Sequence, residues 1–502
     1  TLKLNTTGAS NVAIGRGSLA ACQIGSDNVA IGTSSLTNLI NNQNNTAVGY
    51  QTLYKNIAAS NSAFGKNVLY ENTTGTHNSA FGYGALKENT IGESNSAFGS
   101  YALDANTTGS DNVSVGRSSL GTNTIGALNV AVGKYALFAN TTAVQNTAVG
   151  ESSLKDNTIG FYNTAIGSKS LYENNTGSEN IAVGKDALRL NVRGDQNVAV
   201  GTYALSTMAT ADGNIAVGYQ AAKVSTSATG LTAIGYKALV ANTTGSNNTA
   251  VGYESLKDNV SGISNVGIGD LSLKSNTFGD YNVAVGRSSL WQNVTGNRNS
   301  ALGHAALAAN VIGSYNTAIG YASLNNNVGD DNTSVGNQAL NQNTTGQYNT
   351  AVGSVALTAN TSGNNNSAFG KSSLAANTIG IQNTALGGAT LATSVTGDDN
   401  TAVGYAALFK TTFGNKNVAV GVSALYENTI GGQNVVVGYA ALGANTTGNY
   451  NTSIGSQSLS LNTIGYSNTA LGKSALAVNV TGHGNIAVGA YSLDANIASG
   501  NT

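Results

Sequence analysis

Asn95-Ser96-Ala97-Phe98-Gly99-Ser100-Tyr101-Ala102-Leu103-Asp104-Ala105-Asn106-Thr107-Thr108-Gly109-Ser110-Asp111 is followed at Asn112 by the same pattern again. The asparagine that opens it also stands at 11, 28, 45, 61, 78 and so on to 485, so the chain is one short unit written 29 times. Of the 28 steps along that column, 26 are 17 residues long and 2 are 16. The unit reads N-(T/S/V/I)-A-(V/I/F/L)-G-x-x-(A/S)-L-x-x-N-T-(T/I)-G-x-x. A fixed period this short marks a solenoid, in which each unit buries its apolar face only by stacking on its neighbours.

The columns are strict. Unit position 5 is glycine in all 29 units, position 4 is Val, Ile, Phe or Leu in all, and position 9 is leucine in 28, with Ala222 the exception. Position 1 is asparagine in 28 units, Leu231 being the exception, and position 12 is asparagine in 23. The two shortened units lose their residue just after Asn56 and Asn327. A deletion tolerated only there predicts a surface turn on a fixed frame.

Seventeen residues is too short for a helical hairpin and suits one coil of an all-β, parallel β-solenoid with two short strands and two turns. The first strand is expected at unit positions 1 to 5, for example Asn45-Thr46-Ala47-Val48-Gly49. The invariant apolar residue at position 4, here Val48, is expected inside with Leu53. Alternation along a strand then turns the position 3 alanine outward. A second strand is expected around positions 7 to 9. The invariant glycine implies a positive φ or a close backbone approach, and the N-T-T-G turn invites the same reading. Asparagines at positions 1 and 12 are expected to form amide ladders along the axis. Coils about 4.8 Å apart would make a rod of roughly 130–140 Å. Two large apolar residues per coil is a lean core against the entropy of ordering 17 residues. A partner beyond the neighbouring coils is therefore expected, packed on the alanine and serine columns.

Residues 1–502 read as a single repeat array, with irregular coils near 206–231, where Met208 and Ser225 replace asparagines, Ala222 replaces leucine and Leu231 replaces asparagine. The formal net charge is −1 and only 9% of residues are charged, which speaks against nucleic acid as a partner. No run of 18 apolar residues offers a membrane span. Proline is absent, as a continuous ladder requires. Cys22 is the one cysteine and stands in an asparagine column, so it reads as a substitution in a turn. The chain opens partway through a unit at Thr1, and an excerpt of a longer fibre is the expectation.

No catalytic, metal or cofactor site is expected. His77, His304 and His483 are far apart in sequence, and acidic pairs such as Asp330-Asp331 and Asp398-Asp399 fall in the variable turn. A calcium-binding solenoid would repeat an aspartate in every coil. The tyrosines are the one suggestive surface feature. Tyr219, Tyr236 and Tyr253 occupy position 6 of three consecutive units, an aromatic ladder if the coils stack in register. They read either as packing that shields the sheet or as a platform for a sugar ring or another flat partner. They are the candidate ligand contacts.

Asn11-Val12-Ala13-Ile14-Gly15, Asn28-Val29-Ala30-Ile31-Gly32 and Asn197-Val198-Ala199-Val200-Gly201 resemble the S-V-A-I-G strand of YadA-like heads of trimeric autotransporter adhesins. The unit is also similar to repeats in the shafts of bacteriophage tail fibres. The resemblance implies a left-handed β-roll, three chains side by side, and an adhesive role on a cell or virion surface. The unit here is about three residues longer than the adhesin-head unit. The expected function is a non-enzymatic fibre shaft or adhesin outside the cell, self-associating and open to a host glycan or protein receptor. The alternatives are an ice-binding solenoid and a glycan-cleaving phage tail fibre.

Overall fold

The computed structural model describes residues 1–501 and is all-β. The coils fall into two compact units, Thr1–Asn248 and a second that begins at Thr249. Each coil contributes one three-residue strand. The first unit holds β1 (Val12–Ile14) to β14 (Thr232–Ile234), and the second holds β15 (Thr249–Val251) to β29 (Ile486–Val488). Within each unit every strand pairs in parallel with the next, in a register that puts like unit positions side by side: Ser79 beside Ser96, Ala80 beside Ala97, Phe81 beside Phe98. The repeat expected from the sequence is therefore a parallel β-solenoid.

The expectation that Val48 faces the core is overturned. Alanine at unit position 3 is the inward strand residue: Ala47, Ala80, Ala148 and Ala165 are fully buried. Positions 2 and 4 flank it and are half-buried or exposed, as in β3, Thr46–Val48. The reason is the width of the coil. Where position 3 is serine, Ser114 Oγ lies 2.5 Å from Ser119 Oγ, so position 3 touches position 8 directly across the interior. Only a small side chain fits between them in most coils, and Val436 is the largest residue in that place. The alanine column thus cannot be a surface for a neighbouring chain.

The expected second strand is also absent. Positions 7 and 9 both take left-handed backbone: Tyr135 has φ 59° and Leu137 has φ 51°. Neighbouring residues then point the same way, so Ala136 and Leu137 are both fully buried, which strand alternation forbids. A leucine in that conformation costs about 1–2 kcal/mol. It is held by its ladder bond, as Leu137 N–H donates to Ser153 O at 2.9 Å, and by burial of its side chain.

Glycine at position 5 meets both conditions predicted for it. Gly252 has φ +138°, and a Cβ there would sit 2.5 Å from Gly269 O in the next coil. The glycine of the N-T-T-G turn is different. No left-handed φ marks Gly75, but a Cβ would come within 2.7 Å of Asn72 Oδ1, so close approach alone demands glycine.

Both amide ladders form. Asn95 Oδ1 accepts from the backbone N–H of Asn112 at 3.0 Å and from its Nδ2 at 3.1 Å. At position 12, Asn106 Nδ2 donates to Asn89 Oδ1 at 2.8 Å and to Gly109 O at 2.9 Å. Position 12 thereby ties its own turn and the previous coil with one side chain. The shortened turns keep the bond to their own turn, Asn56 Nδ2 reaching Ala58 O at 2.9 Å and Asn327 Nδ2 reaching Gly329 O at 2.6 Å, but Asn327 leaves Asn310 Oδ1 of the previous coil without a partner. Cys22 imitates it weakly, its thiol donating to Gly25 O at 3.6 Å. Burial pushes that thiol pKa up, offset in part by the same carbonyl contact.

Candidate functional site

Three kinds of outward column carry the chemistry. The first is the outer face of the strands. Because position 3 takes the interior, the Val, Ile, Phe and Leu residues of position 4 line up outside. Ile14, Ile166 and Ile234 of the first unit and Leu302, Leu386 and Val488 of the second are all exposed. Phe64, Phe81 and Phe98 stack face to face along it, with ring centroids 4.5 and 4.7 Å apart. Within each unit, a row of partly or fully exposed large apolar side chains is the kind of surface that marks an interaction site.

The second is the aromatic column at position 6. Tyr219 and Tyr236 are brought together as expected, ring centroids 5.5 Å apart and 15° from parallel. Tyr219 OH accepts from Gln220 Nε2 at 3.2 Å, and Lys237 Nζ lies 5.1 Å from the Tyr236 ring centroid. Tyr253 lies in the first strand-bearing coil of the second unit and is also exposed. Elsewhere in the same column His304 stacks on Tyr321 at 5.5 Å. The pair therefore stacks ring on ring along the column while staying exposed. Other surface columns hold in-register ion pairs, such as Lys410 with Glu427 at 2.7 Å and Lys55 with Glu71 at 2.6 Å. A further carboxylate, Glu254, is nearly buried and is bonded to Lys257 and Lys274 at 3.0 Å each. Burial alone would raise its carboxyl pKa, but the hydrogen bonds and charges of the two lysines outweigh it and hold the carboxyl below its ordinary value.

The third column was missed by sequence reasoning. Unit position 16 builds another ladder, in which a side-chain oxygen accepts the backbone N–H of the previous coil. Ser178 N–H donates to Asp195 Oδ1 at 2.7 Å and Asp195 N–H to Asp212 Oδ1 at 2.7 Å. The sequence signal was there: position 16 favours Asp, Asn and Ser, the residues that can make this bond. Positions 14, 16 and 17 together wall shallow grooves. One, of about 420 Å³, is lined by Phe161, Thr176, Ser178, Glu179, Asp195, Gln196 and Asp212. The register thus gathers three carboxylates that looked dispersed in the sequence. A second, of about 370 Å³, is lined by Phe413, Asn415, Lys416, Ile430, Gly432, Gln433, Asn449 and Tyr450. In a third, Arg298 lies between Tyr281 and Tyr315, 5.8 and 5.4 Å from their centroids, and donates to Tyr315 OH at 2.6 Å. The position 6 tyrosines line none of these three grooves.

Among the described residues no three His, Cys, Asp or Glu side chains gather so as to hold a metal ion, and no helix is long and apolar enough to cross a membrane. His77 is exposed beside Thr76, and His483 stacks on Tyr466 at 4.6 Å. No protein-family model matches the chain, and no curated protein is similar to it.

Proposed function

We propose that the chain is a non-enzymatic structural fibre shaft or adhesin, displayed outside the cell on a cell or virion surface and assembled from copies of itself. The unbroken apolar occupancy of position 4 on the exposed strand face carries this reading. Solvent alone places no demand for a Val, Ile, Phe or Leu there in all 29 units, whereas a strand face packed on another copy does. The contact surface is thus the outer strand face, in place of the alanine and serine columns expected at first. The resemblance to trimeric adhesin heads and phage fibre shafts favours three chains and a left-handed roll.

Light scattering on the purified chain tests this, with three chains per particle as the expected outcome. Replacing Ile166 and Leu386 with glutamate should shift the particle toward monomer while the β circular dichroism persists. A wild-type monomer with the full β signal overturns the self-association.

The glycan-cleaving alternative draws on Glu179, Asp195 and Asp212 in one groove. Each has a structural duty, however. Asp195 and Asp212 accept ladder N–H groups, and Glu179 accepts from Gln196 Nε2 at 3.0 Å. Hydrolysis of a glycan by the chain, lost in Glu179→Gln, would replace the non-enzymatic reading. The ice-binding alternative needs free threonine hydroxyls in rows. At position 13 they are committed instead, Thr90 Oγ1 donating to Thr107 O at 2.9 Å.

A further inference from the structure

The groove between Phe413 and Tyr450 has a chemistry that the ladder itself imposes. Asn415 Oδ1 accepts from Asp398 N–H at 2.7 Å, and Asn449 Oδ1 accepts from Gly432 N–H at 2.6 Å. An asparagine has one acceptor oxygen and one donor amino group. Spending the oxygen on the backbone of the previous coil turns the Nδ2 donor of each outward. Gly432 stands between the two in the same column, where a Cβ would lie 3.1 Å from Asn415 O, so the missing side chain opens a gap of one coil. Lys416 and Gln433 reach the same space from position 17, and neither makes an ion pair or side-chain hydrogen bond among the described residues. Asp398 and Asp399 belong to the coil before and do not line the groove. The walls are apolar and open: Phe413, Ile430 and Tyr450 are each more than half exposed.

We propose that this groove binds an anionic saccharide. The aromatic rings offer negative faces to the C–H groups of a pyranose. Two outward amides and an ammonium supply hydrogen-bond donors and a positive charge for a carboxylate or sulfate, with few competing acceptors. This inference rests on the adhesive reading of the array and assigns it a ligand class. It also moves recognition from the position 6 tyrosine column, which lines none of the three grooves, to a concave site.

The test is calorimetry on the full chain with 3′-sialyllactose, a heparin-derived tetrasaccharide, and lactose as the neutral control. One of the two anionic probes should bind about tenfold or more tightly than lactose, a difference readily resolved in Kd. Preference for the first assigns a carboxylate, and preference for the second a sulfate. Lys416→Gln and Tyr450→Ala, both at exposed turn positions, should each weaken that binding about tenfold. Gly432→Asn is the sharper variant, because it continues the position 16 ladder while filling the gap, so it should abolish binding with unchanged circular dichroism. Lactose bound as well as the anionic probes, no binding by any of them, or variants that bind like wild type would each overturn the proposal. Light scattering on the same samples separates the two readings: an oligomer that binds no saccharide fails here alone, and a saccharide-binding monomer fails only the self-association.

Discussion

Asn191 Oδ1 is buried without a hydrogen-bond partner, and the residue one coil later in its column is Met208. Along most of the intact column the next asparagine donates to that oxygen, as Asn191 Nδ2 itself does to Asn174 Oδ1 at 2.9 Å, the exceptions being Asn310 ahead of Asn327 in a shortened turn and Asn479 ahead of Asn496. Met208 has no donor, and its sulfur instead accepts from Asn214 Nδ2 at 3.4 Å. Asn377 Oδ1 is orphaned in the same way ahead of Ser394. A buried acceptor left unpaired is destabilising, so restoring the donor should help. Met208→Asn and Ser394→Asn are each expected to raise unfolding free energy by about 1 kcal/mol. Asn106→Ala, which removes three side-chain bonds and orphans Asn89 Oδ1, should lower it by about 2 kcal/mol or more. Urea titration followed by circular dichroism checks all three; a destabilised Met208→Asn would remove the ladder as a source of stability.

Ala165 and Ile166 give the clearest reading of which strand face is inside. Ala165 is fully buried and Ile166 is exposed. Ala165→Leu should lower stability by about 1–3 kcal/mol by overfilling the coil. Ile166→Ser should leave folding stability within about 0.5 kcal/mol, any loss falling on chain association. Denaturant curves at low protein concentration separate the two, and the reverse ranking would return position 4 to the core.

That pair also shows where the sequence was legible. The repeat, the parallel register, the leucine core, the glycine constraint and both asparagine ladders follow from column identity, because each column is filled by a residue chosen for one physical duty. The facing of the strand did not follow. Large apolar residues read as inward by default, but the interior slot is methyl-sized in most coils and is filled by the position 3 alanine, Ala47 beside Val48, whose near-invariance is the tell. A surface packing column tolerates variation that a methyl-sized interior slot does not. Positions 7 to 9 were misread for a related reason: leucine at positive φ is rare enough that Leu137 suggested a strand. The grooves were invisible because they depend on which side chains three successive coils set side by side, as with Phe413, Gly432 and Tyr450.

Gly252 and Gly388 predict opposite outcomes for one added side chain. Gly252 combines a left-handed φ with next-coil backbone 2.5 Å from its would-be Cβ, whereas the nearest atom to a Cβ on Gly388 is a Tyr405 ring carbon at 3.5 Å. Gly252→Val is expected to cost about 1–3 kcal/mol in backbone strain, with displacement of the next coil added to it. Gly388→Ala should be neutral within about 0.5 kcal/mol. Limited proteolysis near residue 252 provides the local readout, and a protected Gly252→Val chain would contradict the close approach.

Glu254 makes the second unit sensitive to acid. Its carboxyl is nearly enclosed between Lys257 and Lys274 and is held below its ordinary pKa because those two bonds outweigh the burial that acts the other way. A carboxyl with a folded pKa below its unfolded value binds fewer protons when folded. Its contribution is therefore fully present above the unfolded carboxylate range and is lost as pH falls through the depressed folded value. Glu254→Gln keeps the shape but removes the charge, leaving two lysines facing each other. At neutral pH it should lower stability by about 1–2 kcal/mol. In strongly acidic solution the variant and the wild type should converge, since the wild-type carboxyl is then protonated too. Urea midpoints measured across the acid range check the sign: a difference that grows as pH falls would mean that Glu254 is better accommodated neutral, and that burial outweighs the two lysines.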